Sequence, residues 1–291
     1  MDNEKNQRIG RIISYVTIIL PFLVTIFAIF FMPPRTIDLI LFGVMYVLTV
    51  FGITIGFHRY FTHHSFECKP WVRDALIILG SMAAQGPLLY WVASHRRHHR
   101  YADQPGDPHS PNEGTKNWIV KFRSFWHAHI GWMLKYQPED YGRYAIDLLK
   151  SKKIVNLSNK YIYWILLGLV VPGIIAGLYT HSLYGIMSGI VWGGFVRIFV
   201  VHHVTWSINS ICHLFGKATY ANQDKSTDNL LLGILALGEG WHNSHHAFPT
   251  SARHGLLWWQ LDFSYLTIFI LSKVGLVWNI KQPKISNIKP I

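Results

Sequence analysis

The stretch SHRRHHRY, residues 94–101, holds three histidines within five positions. Their i, i+3, i+4 spacing brings three imidazoles to one face of a helix. The stretch GEGWHNSHHAF, residues 238–248, repeats the H-x-x-H-H pattern far along the chain. Imidazole is a ligand for zinc, copper, iron and nickel, so the two triplets predict a metal site that requires a fold joining both segments. The six histidines are His95, His98, His99, His242, His245 and His246.

The composition indicates a membrane protein. Of 291 residues, 50% are hydrophobic and only 14% are charged, and 17 are histidines. The formal net charge of +12 fits either nucleic acid or anionic lipid, and the long hydrophobic runs favour lipid. We therefore expect membrane lipid and no nucleic acid as a partner. Cys68 and Cys212 form no disulfide framework or metal-binding motif, so we expect reduced thiols on the cytosolic side.

Four hydrophobic runs are long enough to cross a bilayer, and short connections predict that they pair as two hairpins. The segment 58–160 carries fifteen Lys and Arg residues, whereas the connections within the hairpins carry almost no net charge. The positive-inside rule then places both termini and this segment in the cytosol. The predicted fold is one all-α membrane domain over residues 1–291, with a cytosolic helical cap. The predicted spans are 12–32, 39–57, 161–179 and 183–204, and the predicted cap comprises 58–160 and 205–291.

Two further apolar stretches, 75–93 and 263–278, contain polar breaks. The first is interrupted by Gln85-Gly86-Pro87, and the second contains Ser264 and Lys273. We interpret both as helices that lie in the membrane interface or pack under the cap, not as spans.

With this topology, the remaining clustered histidines also lie on the cytosolic side. His58 ends the second span and His63 follows five residues later, while the segment NSICH beyond the fourth span supplies Asn209 and His213. So many imidazoles exceed the four ligands of a structural zinc site, which predicts two metal ions. A nitrogen-rich site without thiolate ligands, beside a lipid phase, favours iron and oxygen chemistry.

A metal transporter is the main alternative from another class. Transporters bind their ions near the bilayer midplane, within the spans. Here Arg197 is the exception in spans that are otherwise nearly free of ionisable residues, and the histidines lie at the span ends. A membrane cytochrome would require axial histidines within the spans. The sequence therefore disfavours both alternatives.

Three motifs, HRYFTH, HRRHH and HNSHH, resemble the three histidine boxes of integral-membrane fatty-acyl desaturases. The longer segments DQPGDPHSP and TWSINSICHLFG resemble the delta-9, or stearoyl-CoA-type, branch, and the similarity runs from about residue 51 to residue 260. The resemblance implies a mushroom-shaped four-span fold, with a cap that holds two non-heme iron ions.

The resemblance also implies roles for individual residues. Asn209 would hold a water on one iron, and Asp103, Asp107 and Glu239 would orient ligating imidazoles from behind. The aspartates of DQPGDP are alternatively ordinary turn residues. No catalytic residue separate from the metal site is implied. The implied iron ligands are His58, His63, His95, His98, His99, His213, His242, His245 and His246.

Several histidines are left without a metal role. His64 stands where the family usually has arginine, which leaves the choice between His63 and His64 as ligand open. Five further histidines are interpreted as structural: His109, His129, His181, His202 and His203.

The resemblance implies a bent, apolar tunnel for the acyl chain. Gln85, Trp91 and Thr205 match positions at the bend, although Trp91 could alternatively be a core-packing residue. Tyr46 and Val50 match positions near the closed end. Because Val50 is bulkier than alanine, we expect a preference for 16-carbon over 18-carbon chains.

The predicted function is delta-9 desaturation of a saturated 16–18 carbon acyl chain with O2 as co-substrate, the alternative being a hydroxylase on the same scaffold. Among the fatty-acyl thioesters, acyl-CoA is the expected substrate. Ala93 replaces a basic residue of the CoA-using relatives and Lys135 stands alone in place of their Arg-Lys pair, so a glycerolipid or acyl-carrier protein stays open. Without heme, ferredoxin or nucleotide motifs in the chain, an external ferredoxin, rubredoxin or cytochrome b5 with its reductase is expected. The expected location is a bacterial inner membrane.

Overall fold

The computed structural model describes residues 2–111, 117–135 and 139–284, with side chains from residue 7 onward. The remaining residues, including the two ends of the predicted domain and parts of the predicted cap, lie outside the described residues. The helices are α1 (Asp2–Phe31), α2 (Thr36–Thr62), α3 (Pro70–Ser81), α4 (Leu88–Tyr101), α5 (118–134), α6 (Tyr141–Tyr144), α7 (Ile146–Leu149), α8 (Lys152–Asn159), α9 (Tyr161–Thr180), α10 (Leu183–His213), α11 (Leu230–Leu235), α12 (His242–Ala247) and α13 (Phe263–Lys273). Strands β1 (Glu67–Cys68) and β2 (Val277–Trp278) pair antiparallel.

Four of these helices, α1, α2, α9 and α10, are long and apolar enough to cross a membrane, as the sequence predicts. Two of them extend beyond their predicted ends at 57 and 204, since α2 continues to Thr62 and α10 to His213. Two of the predicted ligands, His58 and His213, therefore lie near the ends of the second and fourth membrane helices themselves.

The fourth span is the centre of the bundle. Helices α9 and α10 form the predicted hairpin and approach closely at Gly173, Gly177 and Gly189, where a Cβ atom would collide with the facing helix. Small residues at such crossings let two membrane helices pack backbone to backbone. Helices α1 and α2 are joined by a short turn, but α1 packs chiefly against α10, and α2 packs against α3 and α10 rather than against α1.

The buried Arg197 of α10 satisfies backbone carbonyls that the fold leaves without a donor. Its guanidinium donates to the carbonyl oxygens of Gly168 at 3.1 Å and Met82 at 2.6 Å. Within α9, the carbonyl of Gly168 would ordinarily accept from residue 172, but Pro172 has no N–H. The guanidinium of Arg197 thus replaces a missing helix hydrogen bond, as a membrane interior requires.

The two additional apolar stretches are not spans. The first is divided into α3 and α4, of 12 and 14 residues, and the second contains the 11-residue α13 followed by β2. The break between α3 and α4 is held by His202 of α10, whose Nε2 bonds the carbonyls of Ala83 and Ala84 at 2.9 and 3.1 Å. This break brings Gln85 toward the histidines.

Candidate metal centre

The nine histidines of the predicted ligand set converge on two adjacent clusters. Within each cluster, the potential ligand atoms all lie within 4.8 Å of one another. The five-histidine cluster consists of His58, His63, His95, His99 and His245. The four-histidine cluster consists of His98, His213, His242 and His246.

Each H-x-x-H-H triplet contributes to both clusters. In α4, His95 and His99 enter the five-histidine cluster and His98 enters the other. In α12 the division is reversed, because His242 and His246 join the four-histidine cluster and His245 the five-histidine one. An i, i+4 pair therefore serves one cluster, and the histidine between its members serves the next. Helices α4 and α12 hold the two clusters side by side.

The first box depends on an unusual helical segment at the end of α2. Residues Gly52–Thr62 are π-helical, and the backbone N–H of His63 bonds the carbonyl of His58 at 3.2 Å. Hydrogen bonds from residue i to i+5 place residues five apart one above the other. The H-x-x-x-x-H spacing of His58 and His63 consequently becomes a shared face.

Arg96, one of the two arginines in the second box, ties α4 to the end of α2. The guanidinium of Arg96 donates to the carbonyls of Phe61 at 2.7 Å and Thr62 at 3.1 Å. It also forms an ion pair with Asp147 at 2.6 Å. These bonds fix the ligands of the first two boxes relative to each other.

The asparagine of the third box fixes the loop before α11. The buried amide of Asn243 accepts from the backbone N–H groups of Thr219 and Tyr220 and donates to the carbonyls of Tyr220 and Ser226, at 2.6–3.1 Å. All four hydrogen-bonding positions of this amide are therefore used. The loop held in this way carries Asp224.

Carboxylates bond the outward-facing nitrogens of several ligand histidines. The Nδ1 atoms of His98, His213 and His246 lie 3.0, 2.9 and 2.8 Å from a carboxylate oxygen, and Nδ1 of His58 also contacts a carboxylate. Such partners fix the tautomer and the ring direction and make the imidazole more basic. The carboxylates are those of Asp107, Asp103, Asp224 and Glu239, respectively.

The inward-facing nitrogens fit metal cations. Since Nδ1 of His98 and of His246 donates to a carboxylate, each Nε2 presents a lone pair, and neither has a hydrogen-bond partner among the described residues. In the five-histidine cluster the Nε2 atom of His245 lies 3.0 Å from that of His58 and 2.9 Å from that of His99. Several lone pairs directed at one buried point repel each other unless a cation lies between them. The donor sets thus suit two metal ions.

The charges of the centre support the same reading. Burial, and then repulsion by neighbouring imidazoles, lowers the pKa of His95, His99 and His245 well below the ordinary value, so these rings are neutral and able to bind a metal. Burial alone would raise the pKa of Asp107 and of Asp224, but the adjoining His98 and His246 outweigh it and hold both pKa values low. The four backing carboxylates, when ionised, balance the charge of two divalent cations.

An apolar cavity reaches both clusters. Its lining includes His58 and His95 of the five-histidine cluster and His242 of the four-histidine cluster, together with Glu239 and the half-buried Asn209. The three residues predicted at the bend of the tunnel also line this cavity: Gln85, Trp91 and Thr205.

The bend residues are held by specific contacts. The Gln85 amide donates to the Thr205 hydroxyl at 2.5 Å and joins the α3–α4 break to α10. The Trp91 indole stacks on the His95 ring, with centroids 5.0 Å apart. Trp91 thus lines the cavity and packs against a ligand at once, so the two interpretations of this residue are compatible.

Tyr46 and Val50, which are predicted near the closed end of the tunnel, are not among the residues that line this cavity. Ile53 lines it, and Val50 is packed behind, with no exposed surface. The hydroxyl of Tyr46 donates to the carbonyl of Leu235 in α11 at 2.6 Å.

The structure brings His63, and not His64, among the other predicted ligands. His63 belongs to the five-histidine cluster, whereas the exposed His64 side chain contacts Asp147 at 3.1 Å. His64 also adopts a positive φ of 50°, which turns the chain after the first box.

The other histidines have packing or hydrogen-bonding roles. His129 bonds Ser210 at 2.9 Å and His203 at 3.0 Å, which joins α5 to α10. The His109 ring packs on His98, with centroids 4.3 Å apart. His181 ends α9 in a left-handed conformation.

Sequence reasoning missed two residues of the centre. Asp224 bonds a ligand that follows it by 22 positions, and no helical spacing connects a loop aspartate with His246. The buried His254 packs on the ring of His245, with centroids 4.5 Å apart, and accepts from Arg59 at 3.3 Å. Comparing the number of backing carboxylates with the number of ligand histidines would have prompted a search for Asp224. The segment SARHG, which follows the third histidine box closely and contains His254, was the available signal for the second.

The chain is similar in sequence to known proteins. A family model described as fatty acid desaturase matches residues 37–266. The chain is 44% identical over 244 residues to the hex-5-enoyl-[acyl-carrier protein] acetylenase of Moorena producens (strain JHB), which covers 82% of this chain and 75% of that protein. It is 40% identical over 232 residues to the sn-1 stearoyl-lipid 9-desaturase of Anabaena variabilis, covering 79% and 78%. It is 39% identical over 246 residues to the acyl-CoA C20 Delta5-desaturase of Anemone leveillei, covering 83% and 73%.

Proposed function

The chain belongs to the fatty acid desaturase family, and we propose that it inserts a cis double bond at the delta-9 position of a saturated 16–18 carbon acyl chain. The observation that carries the proposal is the apolar cavity whose wall includes ligands of both histidine clusters. A chain in that cavity would expose its methylene groups to both proposed metal sites and be shielded from bulk water.

The proposed ligands are the nine clustered histidines, and the proposed cofactor is a pair of non-heme iron ions. When bound, the iron pair reduces O2 and supplies the oxidant that removes hydrogen from two neighbouring methylenes. The reaction consumes O2, two electrons and two protons and yields the alkene and two waters. The protein's own contribution is to position the chain and to exclude water.

Chain positioning is assigned to the residues at the cavity bend. Gln85 and Thr205 bond to each other across the wall, and Trp91 lies against His95. A fixed bend presents the same carbons of an extended chain to the metal site each time. Asn209 is assigned to a water on one iron because its amide lines the same cavity beside His242.

The bond position is supported by the delta-9-type motifs and by the stearoyl-lipid 9-desaturase relative, while other relatives are named for different positions or for an acetylenase. The test is expression in a host that makes no unsaturated fatty acids, followed by mass spectrometry that locates the double bonds. New 9-alkenes are expected. Hydroxy acids without new alkenes would instead identify a hydroxylase.

Chain length depends on the closed end of the cavity. We propose that 16 carbons are preferred and that Ile53, rather than Val50, sets the limit, because Ile53 lines the cavity. Ile53→Ala is expected to raise the share of 18-carbon products more than Val50→Ala does, with the double-bond position unchanged. A larger shift for Val50→Ala would restore the deeper tunnel end predicted from the sequence. Both ratios are measured on a mixed pool of 16- and 18-carbon substrate.

The two electrons must come from an external ferredoxin, rubredoxin or cytochrome b5 with its reductase. A cleft open at the surface is lined by His63, His99 and His246 and shares no residue with the lining of the acyl cavity. Donor and substrate would then approach the metal site by different routes. The proposed location is a bacterial inner membrane, with both termini and the metal site facing the cytosol.

The acyl carrier differs among the relatives, whose names specify an acyl-carrier protein, a lipid and CoA. Position 93, which is basic in the CoA-using relatives of the stearoyl type, is a fully buried alanine here. This buried methyl group weakens the first choice of acyl-CoA.

A further inference from the structure

We propose that the acyl chain enters sideways from the bilayer, through a groove beside α1, and that the substrate is therefore a chain esterified to a glycerolipid. The inference rests on the proposed desaturase function and names the substrate class for it. Three features carry it: the side chains shared by the walls of two cavities, the loose attachment of α1 and the charge of the opening on the cap.

The groove adjoins the metal-site cavity. It lies between α1 and the α3–α4 break, and four of its lining side chains also line the cavity that contains the histidines. A chain in the groove is therefore separated from the metal-site cavity only by side chains that both spaces share. The shared residues are Gln85, Tyr90, Met133 and Trp206.

The inner face of α1 forms one wall of the groove. Gly10, Ser14 and Thr17 recur at helical spacing on this wall, where they are less exposed than residues 11, 12, 15 and 16 of the same helix. These small residues leave space for a chain beside the helix. The hydroxyl of Thr17 donates to the carbonyls of Ile13 and Ser14, so its polarity is satisfied within α1. The wall is thus compatible with an acyl chain.

Helix α1 is the most weakly attached of the four spans. Only 17% of its apolar segment is buried, compared with 50% for α2 and for α10. Its packing partners are mainly α10 and residues 132–134. Pro21 removes the hydrogen bond to the carbonyl of Thr17, directly beside the groove, and such a position favours bending. The part of α1 that lines the groove can therefore move away from the cap at low cost.

The opening on the cap is poorly suited to CoA. It meets the metal-site cavity at Tyr90 and Trp132, and its lining combines Arg97 and Lys135 with Asp107 and Glu139. Two acidic groups beside two basic groups leave little positive potential for a carrier with several phosphates. Arg97 moreover forms an ion pair with Glu139 at 3.5 Å. The groove, in contrast, opens where acyl chains are already present.

The test uses the full-length protein in vesicles of dipalmitoyl phosphatidylglycerol, with a reduced electron donor and O2. Ser14→Trp fills the groove, and Val16→Trp places the same indole on the exposed face of α1 as a matched control. Desaturation of the lipid chains should fall by about tenfold or more in Ser14→Trp and stay within about twofold in Val16→Trp. Should Ser14→Trp fail to insert into the membrane, Thr17→Phe fills the same groove.

Photo-crosslinking gives a second readout that needs no turnover. A phosphatidylglycerol with a diazirine in its acyl chain should label the wild type at residues 84–87 and Met133, and Ser14→Trp should lose this labelling. Equal lipid conversion by Ser14→Trp and wild type, or conversion of palmitoyl-CoA without conversion of lipid, would overturn the lateral route. A wild type that desaturates no substrate would contradict the proposed function instead, and the labelling would still decide whether a lipid chain occupies the groove.

Discussion

The two histidine clusters are adjacent but are built differently. In the four-histidine cluster, three of the four imidazoles bond a carboxylate through Nδ1. In the five-histidine cluster, His58 has such a bond, whereas Nδ1 of His245 has no partner among the described residues. The five-histidine cluster offers more neutral ligands, and the four-histidine cluster offers fewer but more basic ones. The difference shows two ways in which a histidine cluster can be suited to a cation: by more imidazoles, or by fewer imidazoles with negative charge behind them.

The largest effect is expected from removing a central ligand of either cluster. His98→Ala and His245→Ala should each abolish activity and lower the iron content from two ions to about one or fewer per chain, while the protein still inserts into the membrane. Iron is counted by mass spectrometry on purified, membrane-inserted protein. Wild-type turnover in both variants would reject the metal assignment and, with it, the comparison.

The next largest effect should distinguish the clusters. Asp224→Asn removes the charge behind His246, and Asp103→Asn does so for His213, which should weaken iron binding by about 10–100-fold. Glu239→Gln should weaken it less, because four other histidines of the five-histidine cluster remain. Iron is titrated against a competing chelator in each variant. Equal losses for all three changes would mean that the carboxylates do not set the difference between the clusters.

A smaller effect on iron is expected at the cavity wall. Asn209→Ala should retain close to two ions per chain while activity falls by about tenfold, since its assigned partner is a water and not the metal. Iron content and turnover are measured on the same preparation. Loss of one ion would move Asn209 into the ligand set and make the clusters more alike.

The smallest effect is expected at His64, beside the five-histidine cluster. His64→Ala should leave iron content unchanged and activity within about twofold, because this side chain contacts Asp147 and not the cluster. His63→Ala serves as the matched comparison and should lose iron. If His64→Ala lost iron and His63→Ala retained it, the ligand from the first box would be His64 and not His63.

Much of the centre could be predicted from the sequence, because ligand type and local spacing are properties of the chain. The triplets on α4 and α12 are evident from i, i+3, i+4 spacing. Their division between two clusters could not be predicted, since it depends on how two helices face each other. The π-helical end of α2 was missed for a related reason: its hydrogen bonds are stabilised by packing rather than by propensity. Asp224 was missed because tertiary hydrogen bonds of Asn243 position its loop.

The fold was predicted better than the tunnel. Hydropathy identified the four spans, because bilayer thickness fixes their length. Hydropathy does not show which side chain of α2 faces the cavity, and the structure places Ile53 in its lining and Val50 in the buried core. Arg197 likewise has no sequence signal that links it to Pro172, although it bonds the Gly168 carbonyl that Pro172 leaves without a helical donor.

The most direct test of the account is the position of iron, measured by anomalous diffraction at the iron edge on crystals of the iron-loaded protein. The account predicts two anomalous peaks, one surrounded by the five-histidine cluster and one by the four-histidine cluster. A single peak, or a peak outside both clusters, would contradict it.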